Sequence, residues 1–381
     1  MLISKITLEA IEKCLDYLDE DSMPELEDHL ENALKTVIGL PSKVGCSRVL
    51  VSLATRQNFI FKPYADHFLA LARKQVSDRN DTISSAFAAA CGYLARLAGE
   101  KALLAMIDGC RKLYFESEDE RQRAISGDIL HAFSKYATDQ FKSFAAEVYP
   151  VIFVAKNDQS TRTRSLFEDT WNDSVGGSRA VLLYLREIVQ LASQHLDSPR
   201  WSIKHTAAYA VADVVNSAGS PISDTDARMI WPALQTALGG KTWDGKERIL
   251  QAFIVFAQRC DIGKSDPSVD VQMRRIILRE MKRNNATYRQ HAFKCGADFV
   301  AAQRLTDVFE DVYNIVAPYL EESAGKDEMD VDQAPDKPSS KTLKDVTTAN
   351  ALTAILRAVP TTQAMESRDW VSLSVFHILL G

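Results

Sequence analysis

Apolar positions recur every three or four residues along most of this chain. Ile83, Phe87, Cys91, Leu94 and Leu97 form one such series, Ile125, Ile129, Phe133 and Tyr136 a second, and Ile203, Ala207, Ala210 and Val214 a third. That spacing gathers the apolar side chains on one stripe of a helix. No stretch alternates apolar and polar residues between hairpin turns in the way a half-buried strand does. The densest β-branched and aromatic run, Tyr149 to Val154, lies inside a longer three-to-four-residue pattern, which predicts a helix there.

The predicted helices come in pairs of similar length. The second helix of each pair is expected to start near Ser42, Asn80, Glu120, Thr161, Trp201, Asp244 and Thr287, at intervals of 38 to 43 residues. This is the period of HEAT and armadillo arrays, about 40 to 47 residues. Prolines at 150, 232 and 318 fall within first helices, and Pro63 opens another. A proline inside a helix removes a hydrogen bond and bends the axis. Small residues crowd the second helices at Ala86, Ala88, Ala89 and Ala90, and at Ala207, Ala208, Ala210 and Ala212, which lets neighbouring helices approach closely. The fold class expected is all-α, an α-solenoid of HEAT-like helix pairs in which each pair buries its apolar face against the next.

The array should occupy residues 1–320. Residues 321–341, EESAGKDEMDVDQAPDKPSSK, hold seven acids, three lysines and almost nothing apolar, so they read as an acidic flexible linker. Residues 342–381 read as a further helical segment, with helices over 342–359 and 367–380. The apolar ending at Ile378, Leu379 and Leu380, and a start that runs directly into a repeat, lead us to expect a piece of a longer protein or an incomplete gene model.

Composition changes this picture little. The 381 residues are 46% hydrophobic and 25% charged, with a net charge of −6, which gives no overall electrostatic footprint for nucleic acid or an anionic membrane. No run of about eighteen apolar residues suggests a membrane span, and no signal layout appears at the N-terminus. The six cysteines, at 14, 46, 91, 110, 260 and 295, form no C-x-x-C and mostly lie in apolar helical stretches. Small buried thiols in a reducing compartment fit them, so the expected location is the cytoplasm and nucleus.

Candidate chemistry is sparse. Gly239-Gly240-Lys241-Thr242 suggests a phosphate loop, but Gln235 stands where the motif's first glycine belongs and a helix precedes it, so a tight inter-helix turn is the reading. The seven histidines, at 29, 67, 131, 195, 205, 291 and 377, show neither i, i+4 pairing nor cysteines at ligand spacing. Asp119-Glu120 and Glu168-Asp169 read as solvated acids of turns and helix starts. Asn80-Asp81-Thr82 and Asn285-Ala286-Thr287 match a glycosylation acceptor but read as helix caps. The basic run Arg274, Arg275, Arg279, Lys282 and Arg283 follows helical spacing, as a solvated face would. Trp171, Trp201, Trp231, Trp243 and Trp370 are placed near helix ends to brace repeat junctions, with an exposed one able to anchor a partner. Nothing here calls for a cofactor, a metal or catalysis.

Several pieces together are similar to one family. Ser42-Lys43-Val44-Gly45-Cys46 followed by Val49-Leu50-Val51-Ser52-Leu53 begins the series. Asp78-Arg79-Asn80, Ala86-Phe87-Ala88, Tyr149-Pro150, Trp171-Asn172, Gly240-Lys241-Thr242-Trp243 and Gly245-Lys246-Glu247 follow in order. Over residues 1 to 320 the chain resembles the C-terminal part of the large proteasome-associated HEAT-repeat adaptors and scaffolds. The resemblance implies HEAT repeats, no enzymatic activity, and partners in the regulatory and core particles of the proteasome. It implies a part in holding the complex together, in its assembly and in quality control. The family-matched turn and interaction positions are Lys43, Gly45, Asp78, Arg79, Asn80, Trp171, Trp201, Gly240, Trp243, Gly245, Lys246 and Glu247. The alternative is another HEAT array, such as a nuclear transport receptor or a phosphatase scaffold.

Overall fold

The computed structural model describes residues 9–174, 178–305, 307–324 and 340–359. Regular structure among the described residues is helical, without a strand. The chain divides into two compact units, Met1–Ala210 and Val211–Gly381.

In the first unit the pairs are α1 (Met23–Thr36) with α2 (Leu40–Arg56), α3 (Ala65–Gln75) with α4 (Asp81–Ala95), α5 (Glu100–Glu116) with α6 (Glu120–Tyr136), and α7 (Ala145–Ala155) with α8 (Thr161–Ser174). Next comes α9 (Leu185–His195), followed by α10 (Trp201–Ser217), which runs across the boundary between units. In the second unit α11 (Asp224–Ala237) pairs with α12 (Lys246–Arg259), α13 (Pro267–Met281) with α14 (Ala286–Gln303), and α15 (Phe309–Ala324) with α16 (Ser340–Ala358). Odd-numbered helices are the first of each pair. The seven expected second helices start within two residues of their predicted positions, because the caps that stop the preceding turn are written locally. Asn80 Oδ1 accepts from the amides of Thr82 and Ile83, Asp119 from Arg121, and Asn285 from Tyr288.

Within the first unit α1, α3, α5, α7 and α9 pack successively as one layer, and α2, α4, α6 and α8 as the other. Within the second unit α12, α14 and α16 pack successively, with α13 against α15. Each unit is thus an α-solenoid of HEAT-type pairs. Residues 148–155 of α7 are buried throughout, because α5, α8 and α9 enclose that helix. This is why the run from Tyr149 to Val154 is continuously apolar without being a strand.

First helices often arrive in two pieces. Short helical segments at Asn58–Phe61, Thr138–Ser143, Ser178–Leu183 and Ile262–Ser265 precede α3, α7, α9 and α13. Pro63 sits in the 3-10 turn before α3, and Pro150, Pro232 and Pro318 lie inside α7, α11 and α15 as the sequence predicts. Second helices pack closely through small residues. Gly92 of α4 lies so near α6 that an added Cβ would overlap the carbonyl of Ala132, so Gly92→Leu would push the two helices apart. Of the expected acidic linker, residues 321–324 end α15 and 340–341 open α16. Residues 325–339, the helix expected over 367–380 and Trp370 lie outside the described residues.

Candidate functional site

The turns that join first to second helices carry a repeating ionic register. A cation at the start of one second helix reaches an acid 34 or 35 residues later, at the turn or helix end of the next repeat. Lys43 with Asp78, Arg123 with Asp158, and Lys246 with Glu280 follow it among the described residues. The helix dipole disfavours cations at N-terminal turns, so each must be offset by its cross-repeat partner.

The Lys43 pair is the most solvated of the three. Lys43 Nζ lies 2.6 Å from Asp78 Oδ2, while Asp78 Oδ1 accepts the Asn80 amide at 2.9 Å. Arg121 donates to the Asp78 carbonyl. The Lys43 hydrogen bond holds the Asp78 carboxyl below the usual carboxylate range. Arg79, between them, points to solvent.

Asp158 is enclosed, at 1% exposure. Tyr114 Oη donates to its Oδ2 at 2.7 Å, Arg123 Nε to the same oxygen at 3.0 Å, and the Ser160 amide to Oδ1 at 2.8 Å. Burial, then the Asp158 charge, pushes the Tyr114 phenol well above its ordinary value. The end of α5 also meets the end of α9 and the turn after it. Phe115 and His195 stack with centroids 4.1 Å apart, Arg111 Nη2 donates to Gln194 Oε1 at 3.1 Å, and Arg200 Nη1 donates to the Phe115 carbonyl at 3.2 Å. Burial, with Arg111 and Arg200 nearby, lowers the His195 pKa to about 4.

In the second unit Lys246 and Glu280 are both fully enclosed, with Nζ and Oε2 3.3 Å apart. Glu280 also takes Tyr288 Oη at 2.9 Å, Arg279 Nε at 2.8 Å and Arg283 Nε at 3.3 Å. The same cations cap the end of α11: Arg279 Nη2 donates to the Leu238 carbonyl at 2.9 Å, Arg283 Nη2 to Gly240 O at 2.6 Å, and Lys246 Nζ to Gly239 O at 3.3 Å. Burial pushes the Lys246 amine down to about 8, more than Glu280 raises it, while Lys246 and the two guanidiniums hold Glu280 below its ordinary value against its burial. Gly240 and Gly245 have φ of +69° and +101°, so Gly239-Gly240-Lys241-Thr242 is the left-handed turn expected of it rather than a phosphate cradle. Glu247 Oε2 accepts the Gly245 amide at 3.0 Å.

The family-matched positions therefore separate by burial and role. Lys246, Gly245 and Trp171 are buried; Trp171 packs against Phe153 with centroids 5.1 Å apart. Lys43, Asp78, Asn80, Gly240 and Glu247 hold turns and caps, and Gly45 and Trp243 are half-buried. Arg79 and Trp201 face solvent; Trp201 is 66% exposed, with Lys204 Nζ 5.8 Å from its ring centroid. Two sequence placements need correction. Trp231 lies in the middle of α11, stacked on Phe256, rather than at a helix end, and Glu168-Asp169 lie within α8 rather than at its start. Sequence reasoning missed Tyr114, Arg123, Asp158, Glu280 and Tyr288; the spacing of 34 to 35 residues between cation and acid was the available signal.

Among the described residues no group of three His, Cys, Asp or Glu is placed to hold a metal, and no helix is long and apolar enough to cross a membrane. Cys91, Cys110, Cys260 and Cys295 are buried free thiols, and burial pushes Cys110 up to about 12 and Cys260 to about 11.

Two family models match the sequence. Residues 1–115 match the HEAT-repeat domain of the proteasome adapter and scaffold protein ECM29, and residues 256–379 match the C-terminal ARM-like repeats of ECM29. The human proteasome adapter and scaffold protein ECM29 is 29% identical over 328 residues, 83% of this chain and 18% of the relative. Proteasome component ecm29 of Schizosaccharomyces pombe is 28% identical over 84% of this chain and 19% of its own. Proteasome component ECM29 of Saccharomyces cerevisiae is 28% identical over 74% and 15%. The chain thus spans less than a fifth of the length of each of these relatives. The matched segments follow one another in order along an array whose repeats are those the fold displays, and the chain belongs to the ECM29 family.

Proposed function

We propose that this chain is part of a non-enzymatic scaffold that binds the proteasome. It would bridge or stabilise the regulatory and core particles, contribute to proteasome assembly and quality control, and act in the cytoplasm and nucleus. The observation that carries this reading is the ordered pair of ECM29 matches framing a stack of helix pairs. The relatives' own names, proteasome adapter and scaffold or proteasome component, support it. So does the use of the buried charges. Asp158 and Glu280 direct their oxygens to internal donors, which ties neighbouring repeats together within each unit and leaves their outer faces for protein contacts.

On this reading Arg79 and Trp201 are the family-matched positions free to meet a partner, and both residue types are favoured as interface anchors. Crosslinking mass spectrometry of the purified chain on purified proteasomes tests it. Crosslinks to subunits of both particles are expected, weakened by Trp201→Ala and Arg79→Glu. Absence of any proteasome crosslink would defeat the proposal.

A further inference from the structure

The turn edge of the second unit is basic on an acidic chain. Lys241, Arg279, Lys282, Arg283 and Arg289 stand there with the exposed Asp244 and half-buried Glu247, over the enclosed Lys246–Glu280 pair, while the whole chain carries −6. Hydrogen bonds tie the cluster together. Arg279 and Arg283 reach the Leu238 and Gly240 carbonyls that precede Lys241, and Arg289 Nε donates to Arg283 O at 3.2 Å and its Nη2 to Asn284 Oδ1 at 3.0 Å. Of the three acids, Glu280 is wholly enclosed and Glu247 caps Gly245, so neither faces outward as a counter-charge.

The two guanidiniums are held in place yet not used up. Arg279 and Arg283 point Nε and Nη2 inward at Glu280 and the carbonyls, and their side chains remain 43% and 25% exposed. That leaves Nη1 of each outside these hydrogen bonds, and Lys241 and Lys282, next in sequence to Gly240 and Arg283, are exposed. A guanidinium already ordered by its neighbours loses little rotamer entropy when it takes a carboxylate. The basic spacing on α13 reads from sequence as a solvated helix face; the fold adds Lys241 and Arg289 from two other segments and turns it into a patch.

We propose that this edge docks an acidic peptide segment of a protein partner, its carboxylates received by Arg279, Arg283, Lys241 and Lys282. The proposal goes beyond membership in the proteasome complex and does not depend on which complex the chain joins.

The test is fluorescence anisotropy of a labelled deca-glutamate peptide with the full chain at low salt. Lys241→Glu combined with Lys282→Glu is expected to weaken binding about tenfold or more, because both lysines are exposed and stand outside the Glu280 network. Charge reversal at the exposed Lys101 and Lys142 of the first unit should leave affinity unchanged. No binding by the parent chain, or equal binding by the Lys241 and Lys282 double variant, overturns the proposal. Equally tight binding of an oligothymidylate of the same charge overturns it too, in favour of a general polyanion surface. Neutralising Asp327, Glu328, Asp330 and Asp332 to their amides gives the last arm. A tenfold gain in peptide affinity would assign the edge to this chain's own acidic segment and overturn docking of a partner; unchanged affinity supports it.

Discussion

Asp158, in the turn between α7 and α8 of the first unit, and Glu280, near the end of α13 in the second, are both enclosed, yet they are held differently. Asp158 has one cation, one phenol and one amide. Glu280 has a lysine, two arginines and a phenol, and the three cations also cap the end of α11. The first arrangement is balanced in charge and has no spare partner. The second is redundant around the acid and over-supplied with positive charge. In a buried network the cost of losing a group is set by what it leaves unpaired rather than by the contacts it made. The two clusters should therefore respond oppositely to losing their acid and their cation.

The largest effect expected is from Glu280→Gln, which strands Lys246 and two guanidiniums. A loss of about 3–5 kcal/mol is expected in urea denaturation of the second unit's signal. A loss under about 1 kcal/mol would mean that the cations are satisfied by the α11 carbonyls alone.

Next comes the contrast between cations. Arg123→Met leaves Asp158 charged and enclosed with two neutral donors, and about 3 kcal/mol should be lost. Lys246→Met leaves Glu280 with both arginines and Tyr288, and stability should stay within about 1 kcal/mol of the parent at pH 7. The pH dependence sharpens this. Lys246 titrates at about 8 in the fold against an ordinary 10.5, so the folded state favours the neutral amine. Its contribution is complete above 10.5 and is lost as pH falls toward 8. The parent should gain stability relative to Lys246→Met between pH 8 and 10, and parallel curves would show that Lys246 is solvated.

A smaller effect tests the contact between α5 and α9. His195 is held neutral on Phe115, with a folded pKa of about 4 against an ordinary 6.5. Its contribution is present above 6.5 and lost as pH falls through that range toward 4. His195→Phe keeps the stack and removes the titration. Between pH 7.5 and 5 the parent should lose about 1 kcal/mol more than the variant, after discounting for partial exposure, as read by hydrogen exchange of residues 185–200.

Pairs, period and most helix starts were legible in the sequence because they rest on local chemistry. Asn80, Asp119 and Asn285 cap the helices they precede, and prolines mark first helices whatever the repeats do in space. The two clusters were not legible, because Asp158 is enclosed by Tyr114 and Arg123, 44 and 35 residues away, from α5 and α6 of the preceding repeat. Lys246 reads as a turn lysine, since nothing near it in sequence announces that α13 will bury it. Trp231 was misplaced for a related reason: an indole stacked on Phe256 in mid-helix looks in sequence like one beside a proline bend.

The third pair of the register supplies the smallest effect and the control on the other two. Lys43 and Asp78 share the spacing of Arg123 and Asp158, but both side chains stay partly solvated, at 27% and 18% exposure. Water can replace either partner, and Asp78 keeps its second role, accepting the Asn80 amide. Lys43→Ala should therefore cost less than about 0.5 kcal/mol, with the loss shrinking further in 0.5 M salt. A cost approaching that of Arg123→Met would show that register alone, rather than burial, sets the strength of these links. The opposed behaviour expected of the two enclosed clusters would then need another cause.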